Sequence, residues 1–242
     1  MGESTYILSP ILLKFRNLEM QIDLIKHLEG FVTERRSELI DKVLQDRTKY
    51  ITLVLEDIYQ SQNASAVMRS CDCFGVQDVH VIENSNQYEI IPDVAMGSTK
   101  WLSLNRYNEK ENNTLDTINK LKSEGYRIVA TSPHAKDVTI GDFDITKGKT
   151  ALFFGTELTG LSDIVMDNAD EFVKVPMHGF TESYNISVCA ALVLYELTEK
   201  LRKSNIDWKL TKNEIAEIKL EWLKRSIKSS DEIIDRFLNI NE

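Results

Sequence analysis

The chain has 242 residues and a formal net charge of −9. Its 42% hydrophobic and 28% charged content is that of an ordinary soluble globular protein. The acidic total argues mildly against a nucleic-acid partner, because phosphate contacts need Lys and Arg. The charge is uneven, however: residues 1–50 are balanced, residues 51–198 carry −10 and residues 199–228 carry +4.

The first residues, MGESTYILSPILLKFRN, lack a basic stretch followed by a long apolar core, so no signal peptide is expected. Tyr6 stands where a myristoylation signal has Ser or Thr. No apolar run approaches the ~20 residues of a membrane span. Helices are expected over residues 11–47, where apolar residues recur at Leu18, Ile22 and Ile25 and then at Leu39, Ile40, Val43 and Leu44. Thr33 is a plausible N-cap of the second helix, with Ser37 in its first turn.

From residue 50 the period shortens. YITLVLEDI (50–58) reads as a strand, and ASAVMRSCDCFG (64–75) as a helix closed by Gly75. VHVIE (79–83) is a strand and LDTINKLKSEG (115–125) a helix closed by Gly125. YRIVATSP (126–133) is a strand stopped by Pro133, KTALFFG (149–155) a strand, LSDIVMDNA (161–169) a short helix, and EFVKVPM (171–177) a strand stopped by Pro176. A long helix follows from about 183 to 203 and reads as buried on most sides. Residues 208–239 add one or two amphipathic helices. Strands alternating with helices predict an α/β fold with a mostly parallel sheet.

The three cysteines are an odd count. Cys71 and Cys73 lie one residue apart on a helix, a poor disulfide geometry, and Cys189 sits in an apolar helix. All three are expected as reduced, buried thiols of a cytoplasmic protein. There is no CxxC and the four histidines are scattered, so no metal is expected.

In parallel sheets ligands bind beyond the C-terminal strand ends. The loops there hold Asn63, Arg69, Thr131, Gly155, Glu157, Gly160, Ser183 and Asn185. Asn63 reads either as a helix cap or as a site residue. Arg69 lies in a helix of small and apolar residues, so its guanidinium needs a carboxylate or a bound anion. Thr159 and Ser162 are candidate caps. FFGTELTGLS is neither a P-loop nor a dinucleotide fingerprint. Ser183 with His178 five residues away lacks the elbow of a hydrolase nucleophile.

Three of these loops, in order, carry a resemblance. NASAVMRSCDCFGV (63–76), LFFGTELTGLS (152–162) and VPMHGFTESYNISVCAALVLYE (175–196) resemble the three motifs of the SpoU family of RNA ribose 2′-O-methyltransferases. The resemblance covers residues 31–203, and the basic helical tail is similar to the TrmH-type branch, which acts on guanosine 18 in the D-loop of tRNA. It implies a SPOUT α/β fold with a C-terminal deep trefoil knot, a homodimer formed through the knotted region, and S-adenosylmethionine as methyl donor without a metal. The implied domains are a helical extension (1–49), the methyltransferase domain (50–203) and a helical tail (204–242).

The resemblance implies site residues as well. Thr131, Gly155, Val175, Met177 and Tyr184 would bind the donor. Arg69 would be catalytic, oriented by Asn63, with Glu157, Ser183 and Asn185 completing the site. Because arginine hardly ever loses its proton, stabilisation of the developing alkoxide is the defensible role for Arg69. Arg35, Arg36, Lys42, Arg47, Lys49, Arg202, Lys203, Lys224 and Arg225 are the candidates for RNA phosphate contacts. Tyr184, Thr156 and Cys189 depart from the residues usual in the family at their positions. A ribosomal RNA methyltransferase and a catalytically silent RNA-binding homodimer are the competing readings.

Overall fold

The computed structural model describes residues 18–132, 138–156 and 158–241. Two compact units divide the chain: one comprises residues 48–208, the other the segments to either side, 1–47 and 209–242.

In the larger unit the run ITLVLE forms β1 (Ile51–Glu56), with all six residues buried. That is the near-continuous apolar pattern of a parallel strand covered on both faces. In chain order there follow α3 (Ser61–Phe74), β2 (Asp78–Ile82), the single turn α4 (Pro92–Ala95), β3 (Ser103–Tyr107), α5 (Thr114–Ser123), β4 (Arg127–Thr131), β5 (Val138–Thr139), β6 (Thr150–Phe154), α6 (Asp163–Asn168), β7 (Glu171–Lys174) and α7 (Ile186–Lys203). Among the described residues, seven strands pair in the order β3-β2-β1-β6-β4-β7-β5. Every pairing is parallel. Two late strands are inserted between earlier ones: β6 lies between β1 and β4, and β7 between β4 and β5.

Two apolar layers cover the sheet. On one face Leu53, Leu55 and Leu152 pack with Val67, Met68 and Cys71 of α3 and with Ala190, Leu194 and Leu197 of α7. On the other, Val54, Ile128 and Phe153 pack with Ile118 and Leu121 of α5 and Val165 of α6. Gly75 closes α3 at φ 77°, a left-handed position that a side chain would strain. His80 of β2 is buried with Nδ1 2.9 Å from the Tyr107 hydroxyl. Burial, with Lys120 and Lys49 adding positive charge, pushes its pKa down to about 3, so the ring is neutral.

The second unit is helical. α1 (Leu18–Glu29) and α2 (Glu34–Leu44) precede the sheet, and α8 (Lys212–Ser226) and α9 (Ser230–Asn241) follow it. Thr33 caps α2 as expected, accepting from the Arg36 N–H. Thr211 and Glu214 form a capping box on α8. Lys219 of α8 binds Glu29 at 2.7 Å and also pairs with Asp41, so this cation joins α8 to α1 and α2.

Four expectations need correction. α7 begins at Ile186 rather than 183, with Asn185 as its N-cap. Nor is it buried on most sides: Val188, Leu192 and Tyr195 form an exposed stripe at helical spacing. Cys73 is exposed and Cys189 half-buried; Cys71 alone is a fully buried thiol. The strand β3 went unforeseen, because SLNRY is a polar edge strand with one buried residue.

Candidate active site

The loops after β4, β6 and β7 converge with the start of α7 on a cavity of about 940 Å³. Its floor is apolar: Val173, Ile186 and Val193 are buried. Thr131, Gly155, Val175, Met177, Ser183 and Tyr184 all line it. Five positions that the resemblance assigns to the donor, and one further site residue, thus meet in one place, although they span 54 residues of sequence. The Thr131 hydroxyl donates to the Phe153 carbonyl at 2.8 Å, tying β4 to β6 at the cavity edge. The Tyr184 hydroxyl donates to the Pro176 carbonyl at 3.2 Å, which closes the last loop on itself.

Gly155 is required by close approach. A Cβ there would lie 2.2 Å from the carbonyl carbon and oxygen of Gly160. Thr156 and Gly160 exchange two backbone hydrogen bonds, at 3.0 and 3.1 Å, and Gly160 takes φ 71°. Thr159 is not a helix cap; its N–H donates to the Thr156 hydroxyl at 3.0 Å. Ser162 does cap α6, accepting from the Val165 N–H. Glu157 lies outside the described residues.

Two carboxylates that sequence reasoning passed over hold loops at this end of the sheet. Glu56, buried at the end of β1, accepts from the Ser162 N–H at 2.9 Å, the Ser162 hydroxyl at 2.7 Å and the Thr114 hydroxyl at 2.8 Å. Asp57 takes φ 53°, and its Oδ1 accepts from the backbone N–H groups of Asn84, Ser85 and Asn86. The usable signal was a carboxylate at the end of a fully apolar strand, which must find donors if buried.

Asn63 is not a helix cap. Gln60 occupies that position, and Asn63 sits in the first turn of α3. Its amide Nδ2 donates to Gln60 Oε1 at 2.9 Å, and its Oδ1 accepts from Asn185 Nδ2 at 3.2 Å. The hydrogen bonds of Asn63 therefore join the first motif to the third, whereas Arg69 lies six residues on and is exposed. Among the described residues, the Arg69 side chain has no hydrogen-bond or ion-pair partner, so no carboxylate here satisfies it. Asn185 also accepts from the Ser187 N–H at 2.9 Å, so it caps α7 while bonding Asn63. The polar start of this apolar helix thus both caps it and ties it to α3. Asn63, Arg69 and Asn185 stand beside the cavity motifs in sequence but are not in its lining.

Cys189 lines the cavity with its thiol pushed up to about 11 by burial, which keeps it protonated and inert as a nucleophile. No hydrogen bond among the described residues joins Ser183 to His178 or to any other base. Among the described residues, no group of three or more His, Cys, Asp or Glu could hold a metal ion. No helix is long and apolar enough there to cross a membrane.

The candidate phosphate ligands divide. Arg35, Arg36, Lys42 and Lys203 are exposed. Arg47 is corrected: it is 2% exposed, with its guanidinium over the Trp222 ring at 5.2 Å, so it is packed inside the helical unit. Lys224 and Arg225 are mostly covered and lie against Glu221. Lys49 pairs with Asp78 at 3.7 Å, and Arg202 donates to the Phe74 carbonyl at 2.8 Å.

The model of the SpoU rRNA Methylase family matches residues 50–195. A tRNA (guanosine(18)-2'-O)-methyltransferase of Borreliella burgdorferi is 46% identical over 223 residues, covering 91% of this chain and all of the relative. The crystal structure of the Aquifex aeolicus TrmH/SpoU tRNA modifying enzyme superposes with a TM-score of 0.72 at 26% identity, over 81% of this chain and 98% of that one. The SpoU methyltransferase AviRb from Streptomyces viridochromogenes, solved with AdoMet, shares the fold at a TM-score of 0.56 and 24% identity, over 68% and 62% of the two chains.

Proposed function

The chain belongs to the SpoU rRNA methylase family, and from that membership we propose that it is an S-adenosylmethionine-dependent ribose 2′-O-methyltransferase acting on guanosine 18 in the D-loop of tRNA. The observation that carries the substrate is the match, along its whole length, of a relative named for that reaction. The competing ribosomal RNA reading keeps the chemistry and changes the partner.

The cavity residues fit the donor. A chamber with an apolar floor, walled by residues of three loops, suits a molecule that joins a flat base to a flexible methionine arm. Close packing of Gly155 on Gly160 keeps a Cβ out of that wall. Bound there, S-adenosylmethionine supplies an activated methyl group. What remains for the chain is positioning and charge stabilisation. Arg69, exposed and without a partner among the described residues, stabilises the 2′-alkoxide as it forms or binds the adjacent phosphate. Asn63 and Asn185 hold the starts of α3 and α7 together, and Ser183 contributes a hydroxyl at the cavity wall. We assign Glu157 to the same site from its place in the second motif.

The exposed stripe of Val188, Leu192 and Tyr195 supports pairing with a second copy to form a homodimer. The insertion of β6 and β7 between earlier strands supports the reading of a C-terminal trefoil knot. Arg35, Arg36, Lys42, Lys49, Arg202 and Lys203 are the phosphate contacts we retain, in a protein that works in the cytoplasm. The test is incubation of the purified chain with labelled S-adenosylmethionine and either unmodified tRNA transcripts or ribosomal RNA. Label on tRNA supports the reading, and label on ribosomal RNA alone replaces the partner. Donor binding without transfer to either RNA would leave a silent binder.

A further inference from the structure

Among the described residues, Leu158 and Phe180 are the most exposed large apolar side chains, at 98% and 108%. Their exposure is not that of scattered surface residues. They stand on two different loops, one after β6 and one after β7, and line the same cavity. Glu182, two residues beyond Phe180, lines it too. It is exposed and makes no hydrogen bond or ion pair with any described residue. The rim therefore offers two apolar surfaces and one unengaged carboxylate above a buried apolar floor. A volume of about 940 Å³ is at the top of the ~300–1,000 Å³ range for small-ligand sites, which leaves room beside one donor molecule.

A ribose that presents its 2′-oxygen to this cavity brings its base along, one carbon away. That base must leave its own stack and lie at the rim. Bases find replacement stacking on aromatic side chains. The Watson–Crick edge of guanine shows two N–H donors side by side, N1–H and N2–H2, which one carboxylate accepts together. Adenine turns a lone pair at N1 toward the same carboxylate, and hypoxanthine lacks the second donor. We propose that Phe180 and Leu158 clamp the faces of the acceptor base and that Glu182 reads guanine at its Watson–Crick edge. The inference rests on the reading of the chain as an RNA 2′-O-methyltransferase and adds the groups that select the base.

The test uses the full chain and tRNA transcripts carrying guanosine, inosine or adenosine at residue 18. RNA binding is measured with S-adenosylhomocysteine in the donor site, and methyl transfer is measured separately. The wild type should favour guanosine over inosine by roughly tenfold or more in both, the range of one bidentate contact. Glu182→Gln, similar in shape, should bring that ratio below about threefold, because one acceptor becomes a donor. Phe180→Ala should raise the KM for RNA roughly tenfold, the range of a lost stacking contact, with donor affinity held. All three side chains are exposed, so the variants should melt like the wild type. An unchanged guanosine-to-inosine ratio in Glu182→Gln, with transfer intact, overturns the clamp and leaves the methyltransferase reading standing. So does a loss that falls on the donor's Kd, which would place these side chains in the donor site. A wild type that separates guanosine from inosine in binding yet transfers no methyl group would instead sink the methyltransferase reading and keep the clamp.

Discussion

Replacing Gly155 by Ala tests whether the loop after β6 shapes the donor site. The new Cβ would meet the carbonyl carbon and oxygen of Gly160 at 2.2 Å and the Leu161 nitrogen at 2.4 Å. Ordinary carbon contacts need about 3.5 Å, and all three obstacles are backbone, so the two strands of the loop must part by more than an ångström. The overpacking costs about 1–3 kcal/mol. The two hydrogen bonds between Thr156 and Gly160 then break, at about 1 kcal/mol each. Most of this strain stays in the loop, because Leu158, Thr159 and Gly160 are exposed while β6 is buried. If about 3 kcal/mol appears as lost preorganisation, affinity for S-adenosylmethionine falls roughly a hundredfold. Isothermal titration calorimetry on Gly155→Ala, with a thermal melt as control, measures it. A folded variant that binds the donor within threefold of wild type would refute the argument that this contact builds the site.

Arg69→Ala should lower kcat by roughly 10²–10³-fold, as for other lost alkoxide-stabilising donors, with donor affinity nearly unchanged; single-turnover methyl transfer checks it, and wild-type turnover removes Arg69 from the mechanism. Glu56→Ala strands three donors on Ser162 and Thr114 and should cost roughly 3–5 kcal/mol, read as a lower denaturation midpoint in urea. His80 makes a pH prediction. Its folded pKa, about 3, lies below its ordinary value of 6.5, so only the unfolded chain takes up the proton as pH falls through 6.5. Stability is therefore full above 6.5 and lost from there toward about 3, at up to about 1.4 kcal/mol per pH unit from this group. His80→Asn should lose that part of the slope in urea titrations at pH 7, 6 and 5; parallel curves would show that the ring is not held neutral.

The sheet was legible because its central strands are fully buried and therefore almost wholly apolar, as in ITLVLE and TALFF. Edge strands were not: SLNRY and the two-residue β5 carry little apolar signal, since little of them is covered. The cavity was readable only through its motifs. A sequence records backbone geometry only where glycine is forced, as at Gly155. Arg47 shows the opposite failure. A lone arginine near other basic residues reads as a phosphate ligand, yet here its stem and guanidinium fill space against Trp222. The same limit applies to α7, whose exposed stripe has the composition of its buried one.

The central claim is the identity of the methylated atom, and mapping the product tests it most directly. Unmodified tRNA would be incubated with the chain and labelled S-adenosylmethionine, digested to nucleosides and to fragments, and the label located by mass spectrometry. The account predicts one 2′-O-methylguanosine, at residue 18 in the D-loop, absent when the acceptor 2′-hydroxyl is replaced by hydrogen. Label on a base, or on a ribose elsewhere in the tRNA, would contradict it.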